Sequence, residues 1–178
     1  MIYHFIIYIN PMKTLSRKLA LTLLAIEMIA QSSKQDIENI LFANYLDKDG
    51  QPLAYTNMYD DAIQPFLLGY FIDIELKGYS NQYLKQYVSA LYGEPITIIG
   101  DEDILHACPC CHYLTLTHQG QYDVCPLCYW EDDGTLSTEL DHYSSVNHST
   151  LSKYKVMFDK KQKATLMNIP YKLANRDL

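Results

Sequence analysis

Apolar residues recur at helical spacing through the first hundred positions, and the spacing turns strand-like only after Ile104. Leu19, Leu23, Ile26 and Ala30 fall on one face of a helix whose N-cap is Ser16. Ser33 followed by Asp36 is a capping box with Asp in place of Glu, and it predicts a second helix carrying Ile37, Ile40, Leu41 and Tyr45. Asp47-Lys48-Asp49-Gly50 reads as a turn. Asp60 and Asp61 open a third helix, with Pro65 tolerated only near its start. Phe66 to Leu76 is apolar enough for helix or strand. Ser80 caps the best-marked helix, with Leu84, Tyr87, Val88 and Leu91 as its inner stripe and Gly93 at its end. Ile96 to Ile99 is β-branched and predicts a short strand.

Beyond Ile104 the elements shorten. Residues 113–117 predict a strand, 118–121 a turn around Gly120, and 122–124 the returning strand of a hairpin. Glu131-Asp132-Asp133-Gly134 is an acidic turn, and a polar loop leads to Thr150, the cap of a last helix through about Met167. Lysines 153, 155, 160, 161 and 163 make that helix basic, unlike the rest of the chain. The fold class expected is α+β: a mostly helical domain over 12–100, then a ribbon module with a C-terminal helix over 101–178. Residues 1–11 form an apolar extension too short to span a bilayer, either a strand or an upstream addition before a natural start at Met12. Lys13 to Lys18 followed by Leu19 to Ala30 has the outline of a signal peptide. Glu27 inside the apolar run, and the helical segment that follows, favour an amphipathic core helix instead.

Composition sharpens the class. Of 178 residues, 48% are hydrophobic and 20% charged, enough apolar matter for a core and too much for general disorder. The formal charge of −7 argues against non-specific binding to phosphate backbones and favours a basic partner. Sixteen tyrosines suit half-buried faces and contact surfaces.

All five cysteines lie between positions 108 and 128, in Cys108-Pro109-Cys110-Cys111 and Cys125-Pro126-Leu127-Cys128. An odd number in two tight clusters is not a secreted disulfide framework and points to a reducing, cytoplasmic setting with a metal site. Each C-x-x-C turn offers two sulfurs to one side of an ion. Cys108, Cys111, Cys125 and Cys128 together complete the tetrahedron of one structural Zn²⁺. Four bound thiolates and the cation together add two negative charges, for about −9. Cys110 is left over, as a small side chain facing away from the metal, or as a reactive thiol or an alternative ligand.

A closed site leaves no open position for metal-assisted catalysis. Glu131, Asp132 and Asp133 are consecutive and do not converge on one side, so they read as a solvated or partner-facing turn. Histidines 106, 112, 118, 142 and 148 lie in or near the ribbon, but no nucleophile, base and orienting group stand in a recognisable order. No catalytic residue is expected. Trp130 reads as a core plug, or as a contact anchor if exposed.

The runs Cys108 to Leu116 and Gly120 to Gly134, with the segment Asn147-His148 to Leu151, resemble the bacterial cysteine-rich CPCC family. That resemblance implies a zinc-ribbon-like module in small cytosolic proteins without an established activity, some of them immunity proteins encoded beside polymorphic toxins. Two positions depart from the family pattern: His112 stands where glycine is usual, and Lys153-Tyr154-Lys155 replaces an acidic-small-basic run. The leading expectation is a zinc-stabilised immunity protein that neutralises a cognate toxin through an acidic, tyrosine-rich surface, with Trp130, Glu131, Asp132 and Asp133 as contact candidates. The alternatives are a nucleic-acid-associated ribbon, suggested by the basic last helix, and a thiol or metal-assisted enzyme.

Overall fold

The computed structural model describes residues 13–57, 59–165 and 168–174, with only the backbone described at 163–165. The expectations for residues 1–11 and for a helix end at Met167 lie outside the described residues. Chain contacts divide the protein into two compact units, one formed by Met1–Lys77 with Leu84–Asp101 and the other by Gly78–Tyr83 with Glu102–Leu178. Among the described residues no helix is long and apolar enough to cross a membrane.

The first unit begins with a strand the periodicity does not announce. Strand β1 (Lys13–Ser16) pairs in parallel with β2 (Ile96–Ile99), Leu15 opposite Ile98. Ser16 ends the strand and caps helix α1 (Arg17–Gln31), its Oγ accepting from the Leu19 amide at 3.2 Å. The buried side of α1 is Ala20, Leu21, Leu24 and Ala25, whereas Leu19, Ile26 and Ala30 are exposed. This corrects the expected inner face. The helix is apolar on more than one side, so period alone does not choose; packing against α3 and the π-helical turn does. Glu27 accepts from the Tyr87 hydroxyl at 2.5 Å, which gives the acid in the apolar run a structural partner.

Helix α2 (Lys34–Asn44) starts at Ser33, whose Oγ accepts from the Asp36 amide at 3.1 Å while its hydroxyl donates to Asp36 Oδ2 at 2.6 Å. It buries Ile37 and Leu41, each contributing about 1.5–3 kcal/mol. Helix α3 (Gln64–Tyr70), with Pro65 in its first turn, runs into a π-helical turn at Phe71–Glu75. Phe66 to Leu76 is therefore helical rather than extended. Helix α4 (Asn81–Tyr92) buries Leu84 and Val88, half-buries Tyr87 and leaves Leu91 exposed, so the last member of its predicted stripe faces solvent. Gly93 follows at φ +70°, a conformation glycine adopts without strain.

The second unit corrects the expected hairpin. Strand β4 (Leu114–Leu116) pairs antiparallel with β3 (His106–Ala107), not with 122–124, and Val124 bridges Glu131. Each C-P-x-C turn reverses the chain by itself, so the residues flanking a turn become each other's partners. The 118–121 loop is held instead by carboxylates: the His118 amide donates to Asp123 Oδ2 at 2.8 Å and the Gly120 amide to Asp132 Oδ2 at 2.7 Å. Strands β5 (Tyr143–Ser144) and β6 (Ser149–Thr150) form a second small hairpin. Helix α5 (Leu151–Thr165) follows, the Thr150 hydroxyl accepting from the Lys153 amide at 3.4 Å. The segment after α5 returns along β4: the Leu114 amide donates to Lys172 O at 2.9 Å and the Ala174 amide to His112 O at 3.0 Å. Cys108, Cys111, Cys125, Cys128, Leu116, Trp130, Leu151, Phe158 and Tyr171 share the core.

Candidate metal centre

The two C-P-x-C turns have the same backbone geometry. In the first, the Cys108 amide donates to Tyr113 O and the His112 amide to Cys108 O, both at 2.9 Å. In the second, the Cys125 amide donates to Trp130 O at 2.9 Å and the Tyr129 amide to Cys125 O at 2.8 Å. His112 and Tyr129, each one residue past the second ligand of its turn, both sit at φ +64°. Prolines 109 and 126 follow the first cysteine of each turn, where their fixed φ favours the reversal.

The turns bring Cys108, Cys111, Cys125 and Cys128 together, with all four sulfurs within 4.8 Å of one another and no disulfide formed. Cys108 and Cys128 Sγ are 3.6 Å apart, and Cys111 and Cys125 Sγ 3.7 Å apart. A tetrahedron with metal–sulfur bonds of about 2.3 Å has edges of about 3.8 Å. Two edges of the sulfur cluster thus match those of a tetrahedral site and all lie within 4.8 Å, so the donor set is compatible with one metal ion. All four cysteines are buried.

Buried thiols this close cannot all ionise without a cation. Hydrogen bonds from Cys108, Cys111 and Cys128 stabilise a thiolate at Cys125 and pull its pKa well below the usual thiol value, against the opposing effect of burial. Cys111 is pushed above that value by its hydrogen bonds with Cys108, Cys125 and Cys128 and by burial. Cys108 is raised as well: its contact with Cys111 lowers it, but Cys125, Cys128 and burial outweigh that contact. Cys128 is raised too, because the lowering by Cys108 and Cys111 is outweighed by Cys110, Cys125 and burial. Without a cation the cluster therefore favours a thiolate at Cys125 over one at Cys108, Cys111 or Cys128, and a divalent cation would let the rest ionise.

Thr115, unmarked in the sequence, touches the cluster: its Oγ1 lies 3.2 Å from Cys125 Sγ. The same hydroxyl lies 3.3 Å from Tyr113 O, its other acceptor; with Cys125 as a thiolate it can donate to the sulfur instead and orient it from behind. Alternation along β4 gave no signal for it, since a period of two sets Thr115 opposite Leu114 and Leu116, yet Thr115 and Leu116 are both buried. Cys110 is 3% exposed and stands outside the four-sulfur cluster, lining a cavity of about 280 Å³ with His112, Lys155, Phe158, Asp159 and Gln162.

Residues 106–164 match the cysteine-rich CPCC family. The match covers about a third of the chain, taking in both turns and nearly all of α5. No curated protein and no solved structure matches the chain.

The remaining candidates in the CPCC segment do not form one surface. Trp130 is fully buried, edge-to-face on Tyr154 with ring centroids 5.2 Å apart, so it is a core residue and cannot anchor a partner. Asp132, 3% exposed, is spent on the loop, accepting from Gly120 and more weakly from Gly134 at 3.4 Å. Asp133 Oδ1 accepts from Thr135 Oγ1 at 2.6 Å and from its amide at 3.1 Å, and hydrogen bonds with Ser144 and Thr135 hold its carboxyl below the usual range although partial burial opposes them. The expectation of a solvated turn thus fails for Asp132 and is weakened for Asp133; Glu131 is half-buried. Among the described residues no histidine joins the sulfur cluster, and His106, His118, His142 and His148 are exposed.

Sequence inspection also missed Asn147. Its Oδ1 accepts from the Glu131 amide at 2.9 Å, while its Nδ2 donates to Glu131 O and to Ser144 Oγ, each at 2.8 Å. One side chain thereby pairs with a backbone edge as a strand residue would, fastening the second turn's return strand to the β5–β6 hairpin.

Proposed function

We propose that the four cysteines hold one structural Zn²⁺ and that the CPCC segment is a zinc-braced protein-binding module. The observation that carries this is the donor set: four convergent buried cysteines, whose thiolates would fill a tetrahedron and leave no position for a substrate or a reactive water. Zinc is favoured because an all-thiolate tetrahedron suits a soft-tolerant ion with no geometric preference of its own. Elemental analysis of reductively purified protein is expected to find one zinc per chain. A substoichiometric content, or spectroscopy showing a water ligand, would overturn the brace and reopen an enzymatic role.

The partner we propose is a toxin that the protein neutralises, reached through an acidic, tyrosine-bearing face. Support comes from the resemblance to a family with immunity members and from the charge distribution. Residues 102–152 contain eight Asp and Glu and no Lys or Arg, and Asp132 alone of the eight is buried, which leaves seven for a partner to meet. Tyr122, Val124 and Tyr143 stand exposed among them. A basic partner would meet complementary charge and aromatic contact area there, and occlusion needs only about 800 Å² per partner. Co-expression with the product of the neighbouring reading frame is expected to rescue growth and yield a co-purifying complex. Neither rescue nor complex would defeat the toxin assignment while leaving the zinc brace standing.

A further inference from the structure

Helix α5 carries an outward face that neither the metal site nor the acidic face uses. Lys153, Val156, Met157 and Lys160 follow helical i, i+3, i+4, i+7 spacing. Val156 is 53% and Met157 64% exposed, and Lys153 and Lys160 are exposed too. Among the described residues no carboxylate lies within 4 Å of either lysine. Beside this face is a groove of about 200 Å³ between α5 and the second C-P-x-C turn, with Cys128 of the sulfur cluster in its wall among Leu127, Tyr129, Tyr154, Met157, Phe158 and Lys161. Its floor is apolar and aromatic. Its rim is cationic, with Lys161 Nζ 5.2 Å over the Tyr129 ring.

We propose that this groove docks an acidic segment of a partner protein, with one large apolar side chain in the pocket and flanking carboxylates on Lys153, Lys160 and Lys161. The pocket has room for one such side chain, and the exposed Val156 and Met157 extend the apolar contact along the helix. Charge complementarity selects acidic flanks. The chain's net negative charge does not forbid them, because at about 0.1 M salt charges are screened beyond about 10 Å, so the rim lysines dominate what an incoming segment feels. The same lysines repel a basic segment. The module would then present two faces of opposite charge, and the two contacts are separable.

Trp130 is the only tryptophan, and Tyr154, on which it packs, lines the groove, so its emission reports occupancy. The full metal-loaded chain is titrated at about 0.1 M salt with three synthetic peptides: Leu flanked by Glu and Asp, Leu flanked by Lys, and Gly flanked by Glu and Asp. A saturable change with the first alone is expected, weakened at least tenfold in Lys160→Glu/Lys161→Glu and in Met157→Ala. Both variants alter exposed side chains, and unchanged zinc content certifies their fold. No saturable change with the acidic Leu peptide, an equal response to the Lys-flanked one, or undiminished binding by the charge-reversed variant would overturn the proposal. So would a steeply salt-dependent response to a single-stranded oligonucleotide in place of the peptide, which would assign the face to nucleic acid. Loss of toxin rescue with peptide binding intact would count against the acidic face only.

Discussion

His112 and Tyr129 occupy the same place in two superimposable turns, one residue after the second ligand, and both hold φ at +64°. An L-residue in that region costs about 1–2 kcal/mol relative to its ordinary conformations, and glycine avoids the cost. The strain is tolerated because the turn must close its amide onto the first cysteine's carbonyl.

His112→Gly is therefore expected to raise the thermal stability of the zinc-loaded protein by about 0.5–1 kcal/mol, after allowance for the extra freedom glycine gives the unfolded chain. Loss of the contact between His112 Nε2 and Lys155 Nζ, 3.3 Å apart, removes little. His112→Val should move the other way, since a β-branched residue is poorly tolerated at positive φ. Melting curves of the two variants at saturating zinc check the sign; a Val variant as stable as the Gly variant would show that the turn relaxes.

Cys110→Ser should leave one zinc per chain, because Cys110 lies outside the four-sulfur cluster. Cys125→Ser should lose most of the metal and with it the fold of the second unit, since the ion is the common partner of both turns. Thr115→Val keeps shape but removes the hydroxyl 3.2 Å from Cys125 Sγ, and about a tenfold loss of zinc affinity is expected. Competition with a chromogenic chelator measures all three.

Much of this site was legible in the sequence, and the reason is local. Two C-P-x-C turns place two sulfurs each within a few residues, so spacing alone anticipates that Cys108, Cys111, Cys125 and Cys128 cluster and that Cys110 stands outside the cluster. Caps at Ser16 and Ser33 were legible for the same reason, each being a contact within three residues. What failed was non-local. Strand β1 is a strand because Ile96–Ile99 lies beside it, more than eighty residues on. The partner of Leu114–Leu116 precedes the first turn, against the simpler hairpin that alternation suggested. Asp132 looked like surface charge, and only the folded loop shows its carboxylate facing Gly120 and Gly134.

Metal release should consume protons in a way that reports the state of the emptied site. In the metal-free cluster Cys108, Cys111 and Cys128 are raised above the usual thiol pKa and take up protons, whereas the lowered Cys125 remains a thiolate. Protons thus compete with the ion, and affinity falls as pH falls. If the cluster stays assembled, log Kd is expected to change by about three per pH unit near neutrality. If the second unit unfolds on release, Cys125 also protonates at its ordinary value and the slope approaches about four. Chelator competition between about pH 6 and 8 distinguishes them, and a slope near one would contradict the buried, proton-sharing cluster.

Asn147 gives the sharpest test of how the second turn is fastened. Both ends of its amide are in use, Oδ1 as acceptor from the Glu131 amide and Nδ2 as donor to Glu131 O and Ser144 Oγ. Asn147→Asp keeps the size and the first bond but turns the donor into an oxygen facing a carbonyl. A loss of about 1–3 kcal/mol is expected, with the penalty growing as pH rises through the carboxyl's titration because the charged form repels Glu131 O. Asn147→Ala, which removes all three bonds without introducing repulsion, should show no such pH dependence. Denaturant unfolding of the zinc-loaded variants on either side of that titration measures the difference. Equal losses at both pH values for Asn147→Asp would mean that the side chain swings out to solvent, and that the return strand is held by the zinc and by Trp130 burial instead.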